Sequence, residues 1–383
     1  MLSWFCNTSH RCKFHSTAFY GISSRVQYSN SEYGTHPAVF YFVQLITDLL
    51  CAKFKNINYR KSIIVSAITA ALGLIGLTFL PEFFHNPMTG ILICVSIYAV
   101  GSGLIEVLCS PIIEACPFPN KEGMMSLLHS FYCWGAVGVI VGSTIFFTLF
   151  GLENWRILAC LWALIPLYNI INFATCPIEP IVQDSEGLSM SQLLKNRMFW
   201  IFIILMVATG ASESTMAQWT SAFAEASLGV DKAIGDLAGP CGFAFCMGIS
   251  RLWYGKKGQN LDLSSYMIGS GILCFAAYLT ASLSSTPLIS FAGCMVSGLA
   301  VGIMWPGSIS ITSARIPGGG TALFALLALA GDLGGTLGPS LVGFCTGNSE
   351  SDIQSGILAA SIFPIILIVS LIAIRRRRVK TIE

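Results

Sequence analysis

Residues 90–114 read GILICVSIYAVGSGLIEVLCSPIIE, a run of mostly apolar and small residues that holds two acids, Glu106 and Glu114, and no Lys or Arg. A hydrocarbon layer roughly 30 Å thick is crossed by about 20 helical residues, so this stretch is long enough and apolar enough to span a bilayer. Comparable stretches lie on both sides of it. The spans read from the sequence are 37–53, 62–80, 90–115, 124–150, 157–175, 198–224, 234–254, 263–283, 287–311, 319–344 and 355–374, eleven in all. One aqueous core could not hide that much apolar surface. The chain is 54% hydrophobic and 10% charged, where soluble domains carry about 25% charged residues. The expected fold is an all-α integral membrane protein.

Composition also excludes several chemistries. A net charge of +2 without an extended basic face gives no footing for nucleic acid. The 14 cysteines are scattered, mostly inside apolar spans, and include no CxxC pair, so they read as small packing residues rather than a zinc or redox site. Cys6, His10, Cys12 and His15 lack the spacing of zinc modules, and neither a metal nor another cofactor is expected. No HExxH or GxSxG occurs, and Gly101-Ser-Gly103 is followed by no Walker lysine, which argues against an enzyme and against ATP-driven pumping.

The cations set the orientation. Sixteen of the 21 Lys and Arg residues fall in one alternate set of connections, which includes Lys121, Arg251, Lys256, Lys257, Arg315 and Arg375–Arg378. The opposite set holds only Arg156 and Lys232, and the remaining three precede residue 36. By the positive-inside rule the sixteen face the cytoplasm, with the carboxyl terminus. A multi-pass protein of the cell membrane is expected. Residues 1–35 contain no apolar run long enough to span and read as a leader. Eleven spans would then place that leader outside. Truncation of a preceding helix, a transit peptide and a plain polar tail are three ways to account for it, and the first is favoured because paired-repeat transporters have an even helix count.

The long polar connection Pro177–Lys195 separates five spans from six. It predicts a bundle over 36–175, a cytoplasmic linker over 176–197, a second bundle over 198–374 and a basic tail over 375–383. A weak repeat supports two halves. Gly248-Ile-Ser-Arg-Leu-Trp-Tyr-Gly255-Lys256-Lys257 follows the seventh span, and a stretch ending in Arg60-Lys61 but lacking both glycines follows the first. Secondary transporters are commonly built from such repeats.

At these residues the chain resembles the major facilitator superfamily, whose glycine–basic loop motif is matched by Gly248, Gly255, Lys256 and Lys257, with Leu252 where the motif has an acid. Gly103–Glu114, Leu128–Trp134, Gly210–Trp219 and Gly302–Gly307 resemble the fucose permease-like group of proton symporters in particular, and the likeness extends over about residues 38–374. The resemblance implies a two-bundle fold and a secondary transporter of a small solute, sugar-like and proton-coupled. It makes the eleven spans helices two to twelve of the family pattern. The first helix, which in that group carries an acid taking part in proton coupling, is apparently missing. Drug or metabolite efflux in the same fold, and a truncated non-transporting paralogue, are the alternatives.

Acids inside the membrane demand a reason, because a charge at the bilayer centre costs roughly 2.5–3.5 kcal/mol on insertion scales. Glu106, Glu213 and Asp332 lie near the middle of their spans, and the sequence shows no Lys or Arg at comparable depth. Carboxyls without cationic partners in a dry bundle tend to keep their protons. Glu106 matches the family's fourth-helix acid and is the expected proton-coupling group; the competing reading for each acid is a protonated carboxyl bonded to a neighbouring helix. Glu114 lies about 12 Å further along the helix and could pair with His129, as a relay or as a structural hydrogen bond. Asp48, near the cytoplasmic end of its span, reads as an anchor or as a partner for the basic loop after it. Trp219 and Trp305 could stack on a sugar face while Glu213, Gln218 and Asp332 supply hydrogen bonds, although both tryptophans could equally fill core. Glycines four apart (Gly138 and Gly142, Gly235 and Gly239, Gly298 and Gly302, Gly331 and Gly335) predict close helix packing, and mid-span prolines predict bends.

Overall fold

The computed structural model describes residues 30–54, 57–178, 187–228, 235, 237–346 and 353–376. The expected leader therefore lies almost wholly outside the described residues, as does the 375–383 tail from residue 377 on. Among the described residues every regular element is helical. The principal helices are α1 Asn30–Lys53, α2 Tyr59–Leu77, α3 Pro87–Ala115, α4 Lys121–Phe150, α5 Trp155–Thr175, α6 Arg197–Leu228, α7 Gly242–Lys257, α8 Leu263–Leu283, α9 Pro287–Val301, α10 Met304–Arg315, α11 Gly320–Thr346, α12 Ile353–Ala360 and α13 Ile362–Arg376.

Nine stretches among the described residues are long and apolar enough to cross a membrane. Two of them, Pro287–Arg315 and Ile353–Arg376, each join two helices. The remaining two expected spans correspond to α1, whose apolar content is diluted by Gln44, Thr47 and Asp48, and to α7, which is only 16 residues long. α7 is preceded by a π-turn over Leu237–Cys241 that contains Pro240. Proline lacks the N–H that the regular ladder needs, and a wide turn absorbs the defect. Large apolar side chains stand fully open on the outside, Leu149 and Ile171 on α4 and α5, Leu288 and Phe344 on α9 and α11. Hydrocarbon accommodates such a surface, while the backbone satisfies itself within helices.

The chain divides into two compact units, Met1–Ala115 with Phe131–Ser185, and Cys116–Ser130 with Glu186–Glu383. α4 thus gives its first ten residues to the second unit and the rest to the first. Within the first unit, glycine lets α2 meet α3 almost backbone to backbone. A Cβ on Gly73 would lie 2.6 Å from that of Tyr98, and one on Gly101 would lie 2.6 Å from the Ser66 carbonyl. The Ser66 hydroxyl in turn donates to the Gly101 carbonyl at 2.6 Å. The Phe40 ring from α1 packs on Tyr98, centroids 5.3 Å apart, in a cluster with Leu77, Ile91 and Val95. Arg60 caps the far end of α5, its Nη1 donating to the carbonyls of Phe173 and Ala174.

In the second unit α6 and α11 are pressed together through Gly210, Gly331, Gly334 and Gly338. A Cβ on Gly334 would collide with the Val207 carbonyl, and one on Gly210 with the Gly331 carbonyl. These contacts supply what van der Waals association in lipid requires. Three of the four glycine pairs read from the sequence meet close neighbours at both members. Gly138 is different: nothing would lie within 4 Å of its Cβ, so it takes no part in close packing.

Candidate functional site

Each unit encloses its own polar cluster. In the first, Gln44 Nε2 on α1 donates to Glu106 Oε2 on α3 at 2.8 Å. Gln44 is fully buried and Glu106 is 8% exposed. The same face of α1 carries Asp48 one turn on, also fully buried. α1 can bring these residues in because Gly103 has no side chain; its Cβ would stand 3.0 Å from Thr47 Cβ and 3.3 Å from Asp48 Oδ1. Asp48 is therefore packed against α3.

The second cluster centres on Arg251 of α7, which is 1% exposed. Its Nη2 meets Glu213 Oε2 of α6 at 2.8 Å. Its Nε donates to the Gly302 carbonyl at 2.8 Å and its Nη1 to the His129 carbonyl at 3.1 Å. The Gly302 carbonyl is available because Pro306, four residues later, has no N–H to offer it. The Ser126 hydroxyl donates to the Arg251 carbonyl at 2.8 Å. Below this pair the Tyr254 hydroxyl reaches Glu122 Oε2 at 3.3 Å, and Gly255 lies so close to Gly123 that its Cβ would be 3.1 Å from the Gly123 carbonyl.

Two sequence expectations change here. Glu213 is not an acid lacking a cation, since Arg251 neutralises it. Arg251, counted among loop charges, belongs to the interior of the second unit. A guanidinium presents five donors in a rigid fork, so one side chain can serve a carboxylate and two carbonyls together. The clue lay in the span 234–254 itself, which already contained Arg251. Gln44 was also missed, although its place four residues before Asp48 puts both on one helix face.

The other candidates are dispersed. Glu114 is half-buried near the end of α3, and His129 is buried in the second unit. The Trp305 ring lies over Gly331, whose Cβ would collide with it, next to the buried Asp332. Trp219 Nε1 donates to the Pro339 carbonyl at 3.2 Å. Gln218 is exposed, five positions and thus about 140° round the helix from Glu213. Gly248 is buried, whereas Lys256 and Lys257 are exposed at the end of α7. Among the described residues no group of three or more His, Cys, Asp or Glu side chains could hold a metal ion.

The family model of the Major Facilitator Superfamily matches residues 12–339. No curated protein sequence matches the chain. Solved structures with the same fold include a Major Facilitator Superfamily transporter, FucP, in the outward conformation, 14% identical over 98% of each chain with a TM-score of 0.81. The Escherichia coli fucose:proton symporter FucP aligns at 14% identity over 98% of each chain with a TM-score of 0.77. The proton:xylose symporter XylE bound to 6-bromo-6-deoxy-D-glucose aligns at 13% identity, covering 96% of this chain and 92% of its own, with a TM-score of 0.72.

Proposed function

Because the chain belongs to the major facilitator superfamily, a family of multi-pass membrane transporters, we propose that it is a secondary transporter moving a small sugar-like solute by alternating access, with protons as the coupling ion. The observation that carries this reading is the Glu106 carboxyl, buried between apolar helices and held by a neutral amide at 2.8 Å. Intramembrane ionisable groups mark ion pathways. Glu114 and His129 are each proposed as further proton-coupling groups. Glu213, Gln218, Trp219, Trp305 and Asp332 on α6, α10 and α11 are the proposed substrate side, aromatic walls with a few polar groups being the usual makeup of such sites. The sugar is suggested by similarly folded proteins described as fucose:proton and proton:xylose symporters. The gathering of Lys and Arg in one alternate set of connections supports a cell-membrane protein with a cytoplasmic carboxyl terminus.

Proteoliposomes with an imposed pH gradient test this. Labelled L-fucose and D-xylose should accumulate only with the gradient. Glu106→Gln should abolish accumulation while leaving solute counterflow intact. Accumulation that ignores the gradient, or that survives Glu106→Gln, overturns proton coupling through Glu106. Export of lipophilic cations with no sugar flux would favour efflux instead.

A further inference from the structure

We infer that Gln44 is a positioning residue that reads the protonation state of Glu106 and passes it to α1. The inference rests on the proton-coupling reading of Glu106 and adds a second residue to it. Gln44 Nε2 donates to Glu106 Oε2 at 2.8 Å across the α1–α3 contact. Gln44 is fully buried, so bulk water does not compensate its amide if the carboxyl changes. The primary amide is suited to both states, carrying donors at one end and an acceptor at the other. With Glu106 ionised, Nε2 donates to the carboxylate. When Glu106 takes up a proton from the aqueous phase, its new O–H becomes a donor, and rotation of the amide by half a turn presents Oε1 to accept it. When that proton leaves, the amide turns back.

A methyl or thioether at this place could answer neither state. Each exchange alters what α1 holds at the point where Gly103 lets it lie against α3. The other ionisable residues on these two helices among the described side chains are Tyr41, Asp48, Cys51 and Lys53 on α1 and Cys94, Tyr98, Cys109 and Glu114 on α3. α2, which also packs on α3, carries Tyr59, Arg60 and Lys61 at its amino-terminal end, and the short helix Leu80–Phe83 carries Glu82.

The sign of the effect follows from bond strength. A hydrogen bond to a carboxylate is stronger than one to its neutral acid. Loss of the Gln44 donor therefore penalises the ionised form, and deprotonation should need a higher pH by about one unit. The test is a pH titration of the carboxyl C=O stretch by infrared difference spectroscopy on the reconstituted full chain, without solute. The Glu106 band is the one absent from Glu106→Gln.

Gln44→Met keeps the length and removes the amide. Its band should titrate about one pH unit above that of the unsubstituted protein. Thr47→Val, one step along the same helix, should leave the midpoint in place. Gln44→Asn, too short by a methylene to reach, should behave as Gln44→Met does and stands in for it if the thioether variant does not fold. A midpoint unchanged in the Gln44 variants overturns the inference, even where gradient-driven uptake proceeds and depends on Glu106. A shifted midpoint in a protein that shows no gradient-driven uptake upholds the inference and removes the transport reading instead. If Glu106→Gln removes no titrating band, both fall.

Discussion

Arg251 Nη2 lies 2.8 Å from Glu213 Oε2, an ion pair between α7 and α6 whose side chains are 2% and 14% exposed. The pair is worth more as a joint than as a charge. Desolvating two ions offsets most of their attraction, but the remaining Arg251 donors serve the carbonyls of Gly302 and His129. One guanidinium thus ties α7 to α6, to the start of α4 and to the break ahead of α10.

Removing one partner strands the other. Arg251→Met should lower stability by about 3 kcal/mol, the low end for a broken buried pair because Glu213 keeps some exposure. Melting in detergent reads it. The double variant Arg251→Met/Glu213→Gln should recover part of the loss; strictly additive effects would show that the two side chains do not interact.

The α6–α11 contact has no room for a methyl group. Gly334→Ala drives a Cβ into the Val207 carbonyl, and backbone cannot swing aside as a flexible side chain can. A loss of about 1–3 kcal/mol is expected. Gly138→Ala, with open space around it, should melt within about 0.5 kcal/mol of the original. Equal effects of the two substitutions would contradict the packing described here.

Asp262 caps α8, its carboxylate accepting from the Ser265 N–H at 2.9 Å. Hydrogen bonds from the Ser265 side chain and backbone hold the Asp262 pKa below the ordinary value, with help from Arg375. A depressed folded-state pKa means that the contribution is complete above the unfolded value, near 4, and fades as the pH falls through the folded one. Asp262→Ala should therefore cost about 1 kcal/mol at neutral pH. The gap from the original protein should close as the pH is lowered below about 4. A gap that persists undiminished in acid would show that the carboxylate is not its source.

Lys256 and Arg376 are both exposed at the ends of their helices. The positive-inside argument places both in the cytoplasm. Single cysteines at these positions, in a background freed of other reactive thiols, should be labelled by a membrane-impermeant maleimide only after the cells are opened. Labelling of either one from outside intact cells contradicts the orientation.

Much of the fold was legible because lipid imposes length and polarity on each helix separately. α3, α4 and α11 appear where continuous apolar runs of the right length lie. α7 was harder to judge, since Pro240 interrupts its regular ladder and shortens the continuous helix to 16 residues. The site was less legible. Glu106 stands out in its apolar run, but nothing local identifies Gln44, 62 positions away, as its donor. Arg251 was misread for a related reason: a cation close to Lys256 and Lys257 looks like one more loop charge until Glu213 is seen beside it.

The amino-acid order alone determined that the chain forms apolar helices for a bilayer and that Glu106, Glu213 and Asp332 lie within them, because the cost of placing each residue in hydrocarbon depends on that residue and its neighbours in the helix. Only the tertiary structure decided which acid meets an amide and which meets a guanidinium. Those partners come from helices far apart in the chain. Glycine-allowed approaches such as α1 to α3 at Gly103, and the carbonyl that Pro306 leaves open at Gly302, select among them.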